Sequence, residues 1–186
     1  INATLGTNSP FSFDAGKVSF LQSTTNLDFS KKLDVLSGLN VAFGGEFRYE
    51  NYQIKAGEQA SYGLYDANGD FVSGTLSSSS PLIVTDFFGN KRGAGAQGFS
   101  GFQPSDAKEK NRKSVAAYLD LELNATENWL VNGALRYENY SDFGSTFNYK
   151  LASRLKLTDK ISLRASTSTG FRAPSQQQKF YAKTNT

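Results

Sequence analysis

Cysteine, histidine and methionine are all absent from this 186-residue chain. Without them the chain cannot build a disulfide framework, a zinc site or a Ser-His-Asp triad from its own residues. A cysteine-free chain also fits an oxidising compartment. No run of about 18 apolar residues occurs, which excludes a transmembrane helix. It does not exclude a membrane barrel, whose strands place lipid-facing side chains at every second residue. One-signed charge is lacking too: 20 basic against 17 acidic residues leave a net charge of +3. The basic residues are spread through the chain rather than gathered on one face, so no nucleic-acid partner is expected. The N-terminal Ile1-Asn2-Ala3-Thr4-Leu5 has neither the basic start nor the apolar core of a signal peptide. A mature chain or an internal piece is the expectation. Proline is scarce (4), whereas glycine (17), phenylalanine (15) and tyrosine (9) are plentiful.

What the chain does have is period-two alternation, the mark of strands with two different faces. In 115–123, Val115, Ala117, Leu119, Leu121 and Leu123 share one face, and Tyr118, Asp120 and Glu122 the other. After a turn at 124–128, Trp129, Val131, Leu135 and Tyr137 oppose Asn132, Arg136 and Glu138. A short link at 141–145 leads to Phe147, Tyr149, Leu151, Leu155 and Leu157, opposed by Asn148, Lys150, Arg154 and Lys156. Beyond a turn at 158–160, Ile161, Leu163, Ala165, Thr167, Thr169 and Phe171 oppose Ser162, Arg164, Ser166, Ser168 and Arg172. Upstream, Leu21, Leu27 and Phe29 share a face opposite Gln22, Asn26 and Asp28. A turn at 34–38 then precedes Leu39, Val41, Phe43, Phe47 and Tyr49, opposed by Asn40, Glu46, Arg48 and Glu50.

A soluble β-sandwich binding module also keeps charge off its inner face. Three features favour a membrane barrel instead. Each pattern runs for about ten residues, the length that crosses a bilayer at a tilt. Outward aromatics collect at strand ends, Trp129 and Phe29 at one level and Phe47, Tyr49, Tyr137, Phe147, Tyr149 and Phe171 at the other, as aromatic girdles do. Tight turns alternate with longer connections. The fold expected is therefore all-β, with about six long strands of an antiparallel up-and-down transmembrane β-barrel, residues 1–186 forming a segment of one barrel domain. The tight turns would face the periplasm, and the segment from about 53 to 112 would be a long extracellular loop. A hairpin is expected inside it, with strands at 60–65 and 71–76 around a turn at 66–70.

Six strands are too few for an ordinary barrel, and an open edge in lipid costs several kcal/mol per unpaired backbone group. A larger barrel with a wide or plugged lumen suits the inward charges. The alternative is a complete eight-stranded barrel with a structural or adhesive role, drawing two weaker strands from 1–13 and the loop hairpin.

Loops of such length inside compact domains are usually functional. Candidate ligand contacts in the loop are Tyr62, Tyr65, Phe87, Phe88, Phe99 and Phe102, which could equally pack the loop on itself. Arg48, Glu50, Arg136, Glu138 and Arg172 should project into the upper lumen, as contributors to ligand binding or gating. Other motifs have plainer readings. Asp66-x-Asn68-x-Asp70 has calcium-loop spacing, but it lacks the following Gly and the Glu at the twelfth position, so a hairpin turn fits better. Asn2-Ala3-Thr4 and Asn124-Ala125-Thr126 match a glycosylation acceptor by chance. Gly89, Gly93 and Gly95 near Lys91 and Arg92 lack the strand-to-helix context of a phosphate cradle. Asp120, Glu122 and Glu138 could be cast as a glycosidase acid pair. A ladder of opposite charges with Arg136, Arg154 and Arg164 is the better reading. No catalytic role, metal site or cofactor is expected.

Ala134-Leu135-Arg136-Tyr137-Glu138-Asn139-Tyr140-Ser141-Asp142-Phe143-Gly144 resembles a hairpin of TonB-dependent receptor barrels. Tyr149-Lys150-Leu151-Ala152 and Ser168-Thr169-Gly170-Phe171-Arg172-Ala173-Pro174-Ser175 resemble the two strands that follow it in that family. The Gly-Phe-Arg-Ala-Pro-Ser ending is the most specific of these signals. Gly44-Gly45-Glu46-Phe47-Arg48-Tyr49-Glu50 and Gly101-Phe102-Gln103-Pro104 are similar to family patterns as well, so the resemblance covers about 17–178. It implies a 22-stranded barrel in the bacterial outer membrane, bound to lipid outside and to a plug domain within. Such a receptor takes energy from TonB to import a scarce nutrient: a siderophore-metal chelate, cobalamin or an oligosaccharide. Neither a plug domain, a TonB-contacting segment nor a terminal strand ending in an aromatic is recognisable, so the chain reads as the middle of the barrel.

Overall fold

The computed structural model describes residues 1–74, 76–77 and 79–183. Eight strands occur among them: β1 Lys17–Leu33, β2 Leu39–Lys55, β3 Leu64–Tyr65, β4 Phe71–Val72, β5 Lys108–Thr126, β6 Trp129–Tyr140, β7 Gly144–Lys156 and β8 Ser162–Ser168. Two short helices, α1 Gln59–Tyr62 and α2 Gln176–Phe180, and a 3-10 segment at Ala3–Asn8 complete the elements. The six long strands form one sheet in the order β1-β2-β5-β6-β7-β8, and β3 pairs with β4 apart from it. The long sheet is not closed, with β1 and β8 at its edges. Contacts divide the chain into a strand unit, Leu21–Asn51 with Asn111–Ser175, and a loop unit, Ile1–Phe20 with Tyr52–Lys110 and the segment from Gln176.

Register explains how the two faces of the sheet stay distinct. Antiparallel pairing sets Leu119 opposite Leu135 and Leu135 opposite Tyr149, while Tyr118, Arg136 and Asn148 form the neighbouring row. A slip of one residue would exchange the faces completely, so alternation and register fix each other. Leu119, Leu121, Leu135, Tyr137, Phe147, Tyr149 and Leu151 are all exposed in the strand unit. On the opposite parity, Glu50, Arg112, Ser114 and Ala116 are buried. That is the inverse of a water-soluble sheet, and no second long sheet is present among the described residues to cover the apolar face.

One glycine shapes the inner face. A Cβ at Gly44 would lie 2.7 Å from the Tyr118 ring and 2.6 Å from Asp28 Oδ1. Its absence lets Tyr118 reach across and donate its hydroxyl to Asp28 at 2.6 Å.

Several boundaries differ from the sequence expectation. β1, β2 and β5 are longer than the alternation suggested, so the long loop spans 56–107 rather than 53–112. Tyr52 and Ile54 continue the inner parity of β2, but there the parity turns from charged to apolar and both side chains are buried. Phe29 is not a strand end, because β1 continues to Leu33, and its ring stacks on Phe43 at 5.3 Å. Residues 124–126 belong to β5, leaving Glu127 and Asn128 as the turn after a register shift between Asn124 and Thr126.

β8 ends at Ser168 instead of continuing to Arg172. Thr169 adds one backbone bond to Tyr149, and Pro174, which has no N–H, follows closely. Phe171 is therefore not an outward girdle residue, and its ring packs near Phe143 at 5.4 Å. The expected strand at 60–65 is half helix. Ser61 Oγ donates to Glu58 O at 2.6 Å and Gly63 N to Gln59 O at 2.7 Å, local bonds that compete with extended backbone. Only Leu64–Tyr65 and Phe71–Val72 pair, and Thr75, placed in that hairpin, lies outside the described residues. Because 1–13 holds a 3-10 segment rather than a strand and the β3–β4 pair lies outside the long sheet, neither source supplies the eight-stranded alternative with an extra strand.

Candidate functional site

Arg112, on the inner parity of β5, is the most buried cation of the strand unit at 3% exposure. Its Nε donates to Glu50 Oε2 at 2.7 Å, and one Nη donates to Pro174 O at 2.9 Å. Asp142 stands 3.8 Å from the same guanidinium. The planar group also lies over the Tyr140 ring at 5.8 Å and the Phe143 ring at 6.0 Å. Those two rings stack at 4.4 Å. A guanidinium can serve carboxylate, carbonyl and ring face together because its five donors are coplanar. Arg112 thus ties together β2, β5, the β6–β7 link and the segment after β8.

A second cluster occupies the same face. Glu46 pairs with Arg48 at 2.8 Å and with Arg136 at 3.3 Å, and Arg136 pairs with Glu138 at 2.7 Å. Tyr140 donates its hydroxyl to Glu138 at 3.0 Å. The Nε of Arg48 and the hydroxyl of Thr146 are buried without a hydrogen-bond partner among the described residues.

Of the inward candidates, the fold brings Arg48, Glu50, Arg136 and Glu138 to one face in two linked clusters. Arg172 is exposed and joins neither. The charge ladder is realised between Glu46, Arg136 and Glu138 but not at Arg154 and Arg164, which lie opposite one another in the register. Asp120 instead accepts from the Asn132 amide at 3.0 Å.

The loop unit has its own core of Tyr52, Ile54 and Phe102, with Phe180 packed against it. Asn2 is fully buried and donates its amide to Ala60 O at 2.9 Å and Gly63 O at 2.8 Å. These bonds fasten the N-terminal segment to the loop. Among the six loop aromatics, Tyr65 and Phe102 are buried and serve packing. Burial, with Tyr62 and Glu58 nearby, raises the Tyr65 hydroxyl above its ordinary value. Phe99 packs edge-on to Phe102 and has Lys183 Nζ over its ring at 3.7 Å.

Two turns in the loop share one pattern. In 66–70 and in 86–90 the leading aspartate Oδ1 accepts from the amides two and four residues on. Gly69 and Gly89 hold the positive φ, 87° and 82°, that each turn requires. Asp66 is thus a turn former. Bonds from the Asn90 backbone and side chain hold the Asp86 carboxyl below its ordinary value. The tip of this second turn exposes Phe87 at 95% and Phe88 at 82%. Tyr62 borders a separate cleft of about 420 Å³ with Gln59, Phe71, Ser73, Gln103 and Ser105.

Arg112 was missed in the sequence because it stood at the loop boundary. Carrying the alternation of Tyr118 and Ala116 back through Ser114 would have placed it on the inner face.

The family model described as TonB dependent receptor-like, beta-barrel, matches residues 2–186. No curated protein and no solved structure matches the chain. An open antiparallel sheet, apolar outside and charged inside, agrees with that assignment, and the chain belongs to the TonB-dependent receptor-like β-barrel family.

Proposed function

We propose that this chain is part of a bacterial outer-membrane receptor that captures a scarce nutrient and imports it with energy delivered through TonB. The observation that carries the reading is the inverted sheet: exposed leucine and aromatic side chains on one parity, and buried Glu50 and Arg112 on the other. Lipid is the partner such an outer face suits. The remaining strands of a larger barrel would pair with the edges at β1 and β8, since open edges are costly in lipid. A plug domain would meet the inner face, where the side chains of Arg48 and Arg136 are partly exposed. The protein acts by binding and transport and performs no catalysis. Loop 56–107, with Tyr62, Phe87 and Phe88 accessible, contributes to ligand capture, and Arg48, Glu50, Arg136 and Glu138 contribute to the lumen rim.

The test uses the full receptor in cells. Uptake of labelled ferric chelates, cobalamin and oligosaccharides is compared with and without TonB, and after deletion of residues 58–105. One class should be imported only when TonB is present. The deletion should leave barrel assembly intact and weaken binding at least tenfold, about 1.4 kcal/mol. TonB-independent uptake would contradict the energised mechanism, and unchanged affinity in an assembled deletion variant would contradict the role of the loop.

A further inference from the structure

The cleft beside α1 has an uncharged lining drawn from α1, the β3–β4 hairpin and residues 103–105. It measures about 420 Å³, within the size range of small-molecule sites, about 300–1,000 Å³. Its wall includes two aromatic residues, Tyr62 and Phe71, two glutamines, Gln59 and Gln103, and two serines, Ser73 and Ser105. Among the described residues, no charged side chain lines it. We propose that this cleft binds a neutral saccharide, with ring faces against Tyr62 and Phe71 and hydroxyls bonded to Gln59 and Gln103.

The chemistry selects that class. An anionic chelate or a phosphate needs a cation or a cluster of aimed amides, and a cationic ligand needs a carboxylate. A sugar presents apolar C–H faces and, around its rim, hydroxyls that both donate and accept. Aromatic rings answer the faces. A carboxamide answers a hydroxyl in both senses, since it carries an acceptor oxygen and two donors. The Gln59 and Gln103 amides are free for this, as neither side chain is engaged by another described residue.

The backbone beneath those amides is fixed. Gln59 O accepts from Gly63 N at 2.7 Å, Gln103 N donates to Asp106 Oδ2 at 3.1 Å, and Asp106 N donates to Gln103 O at 2.9 Å. Phe71 is held edge-on against Tyr65 at 6.0 Å. A ligand entering the cleft therefore meets a fixed backbone and a held Phe71 ring, which leaves mainly the two glutamine side chains to be ordered on binding.

This inference rests on the receptor reading and names its substrate class, and the test separates the two. The full receptor, purified in detergent, is titrated calorimetrically with maltotetraose, cellotetraose, xylotetraose and laminaritetraose, and with ferric citrate and cobalamin for comparison. One of the tetrasaccharides should bind. Tyr62→Ala and Gln103→Ala should each weaken it at least tenfold, while Glu127→Ala, in the turn between β5 and β6, leaves it unchanged. Because Tyr62→Ala could disturb the loop, Gln59→Ala serves as a second variant, removing an amide that holds no other side chain in place. Binding of ferric citrate or cobalamin with none of the tetrasaccharides would overturn the inference and leave the receptor reading standing. Saccharide binding indifferent to all three cleft substitutions would overturn it as well.

Discussion

The strand unit and the loop unit use the same residue types in opposite ways. In the strand unit Leu119, Leu121, Leu135 and Phe147 are exposed while Glu50, Arg112 and Ser114 are buried. In the loop unit Tyr52, Ile54, Leu64 and Phe102 are buried and Lys55, Glu58 and Lys91 are exposed. β2 contains the changeover, since Glu50 and Tyr52 share a parity yet one belongs to an ion-pair cluster and the other to an apolar core. The difference teaches that burial is set by the solvent each face meets. Hydrocarbon accepts exposed leucine without loss and leaves charges to collect inside, whereas water drives the aromatic rings of the loop together.

The contrast can be broken hardest at Arg112. Arg112→Leu in the full receptor removes the guanidinium from a buried carboxylate and from the Pro174 carbonyl. A loss of about 3–5 kcal/mol in denaturant unfolding is expected. The loss should be smaller for Arg112→Lys, whose point charge can reach Glu50 but cannot serve every partner. Full stability in Arg112→Leu would show the cluster to be ornamental.

A second break exchanges the two solvents at single positions. Leu121→Arg places a charge on the outward parity and should cost about 2–4 kcal/mol if it lies near the bilayer midplane. Ser166→Arg, on the inner parity, should cost much less. Equal costs measured by reversible unfolding into bilayers would remove the distinction between the faces.

The strand unit was largely legible in the sequence because alternation and lipid enforce the same period. Trp129, Val131 and Leu135 gave both the span and the parity of β6, and the register agrees. The ends were harder. At Arg112 the outward residue on one side is Asn111 and on the other Lys113, so the hydrophobic signal vanishes although the strand continues. The loop unit was mostly illegible, since its core joins Tyr52, Phe102 and Phe180 from distant parts of the chain. Local chemistry decided its smaller features. The aspartate turn at 66–70 could be foreseen, but the Ser61 bond that bends the expected strand into α1 could not.

The smallest effect sharpens the loop side of the comparison. The Asp86 carboxyl is held below its ordinary value by bonds from Asn90. A depressed carboxyl contributes stability that is fully present above the unfolded value, about 3.9, and is lost as pH falls through the folded value. Hydrogen exchange at the Phe88 and Asn90 amides should therefore quicken, after correction for intrinsic rates, as pH drops below the carboxylate range. Asp86→Ala should show the faster exchange at every pH. Protection independent of both changes would mean that the turn is held by its backbone alone.

The central claim is that one sheet separates lipid from a polar interior, and it is directly measurable because this chain has no cysteine to compete with an introduced one. Single cysteines introduced at 130–138 and carrying a nitroxide label would report, in the full receptor in bilayers, collision with oxygen from the lipid and with a water-soluble nickel chelate. At 131, 135 and 137 oxygen should dominate, and at 132, 134, 136 and 138 the nickel chelate should dominate. The period should be two throughout. Nickel access at both parities, or oxygen access at neither, would contradict a membrane-spanning strand.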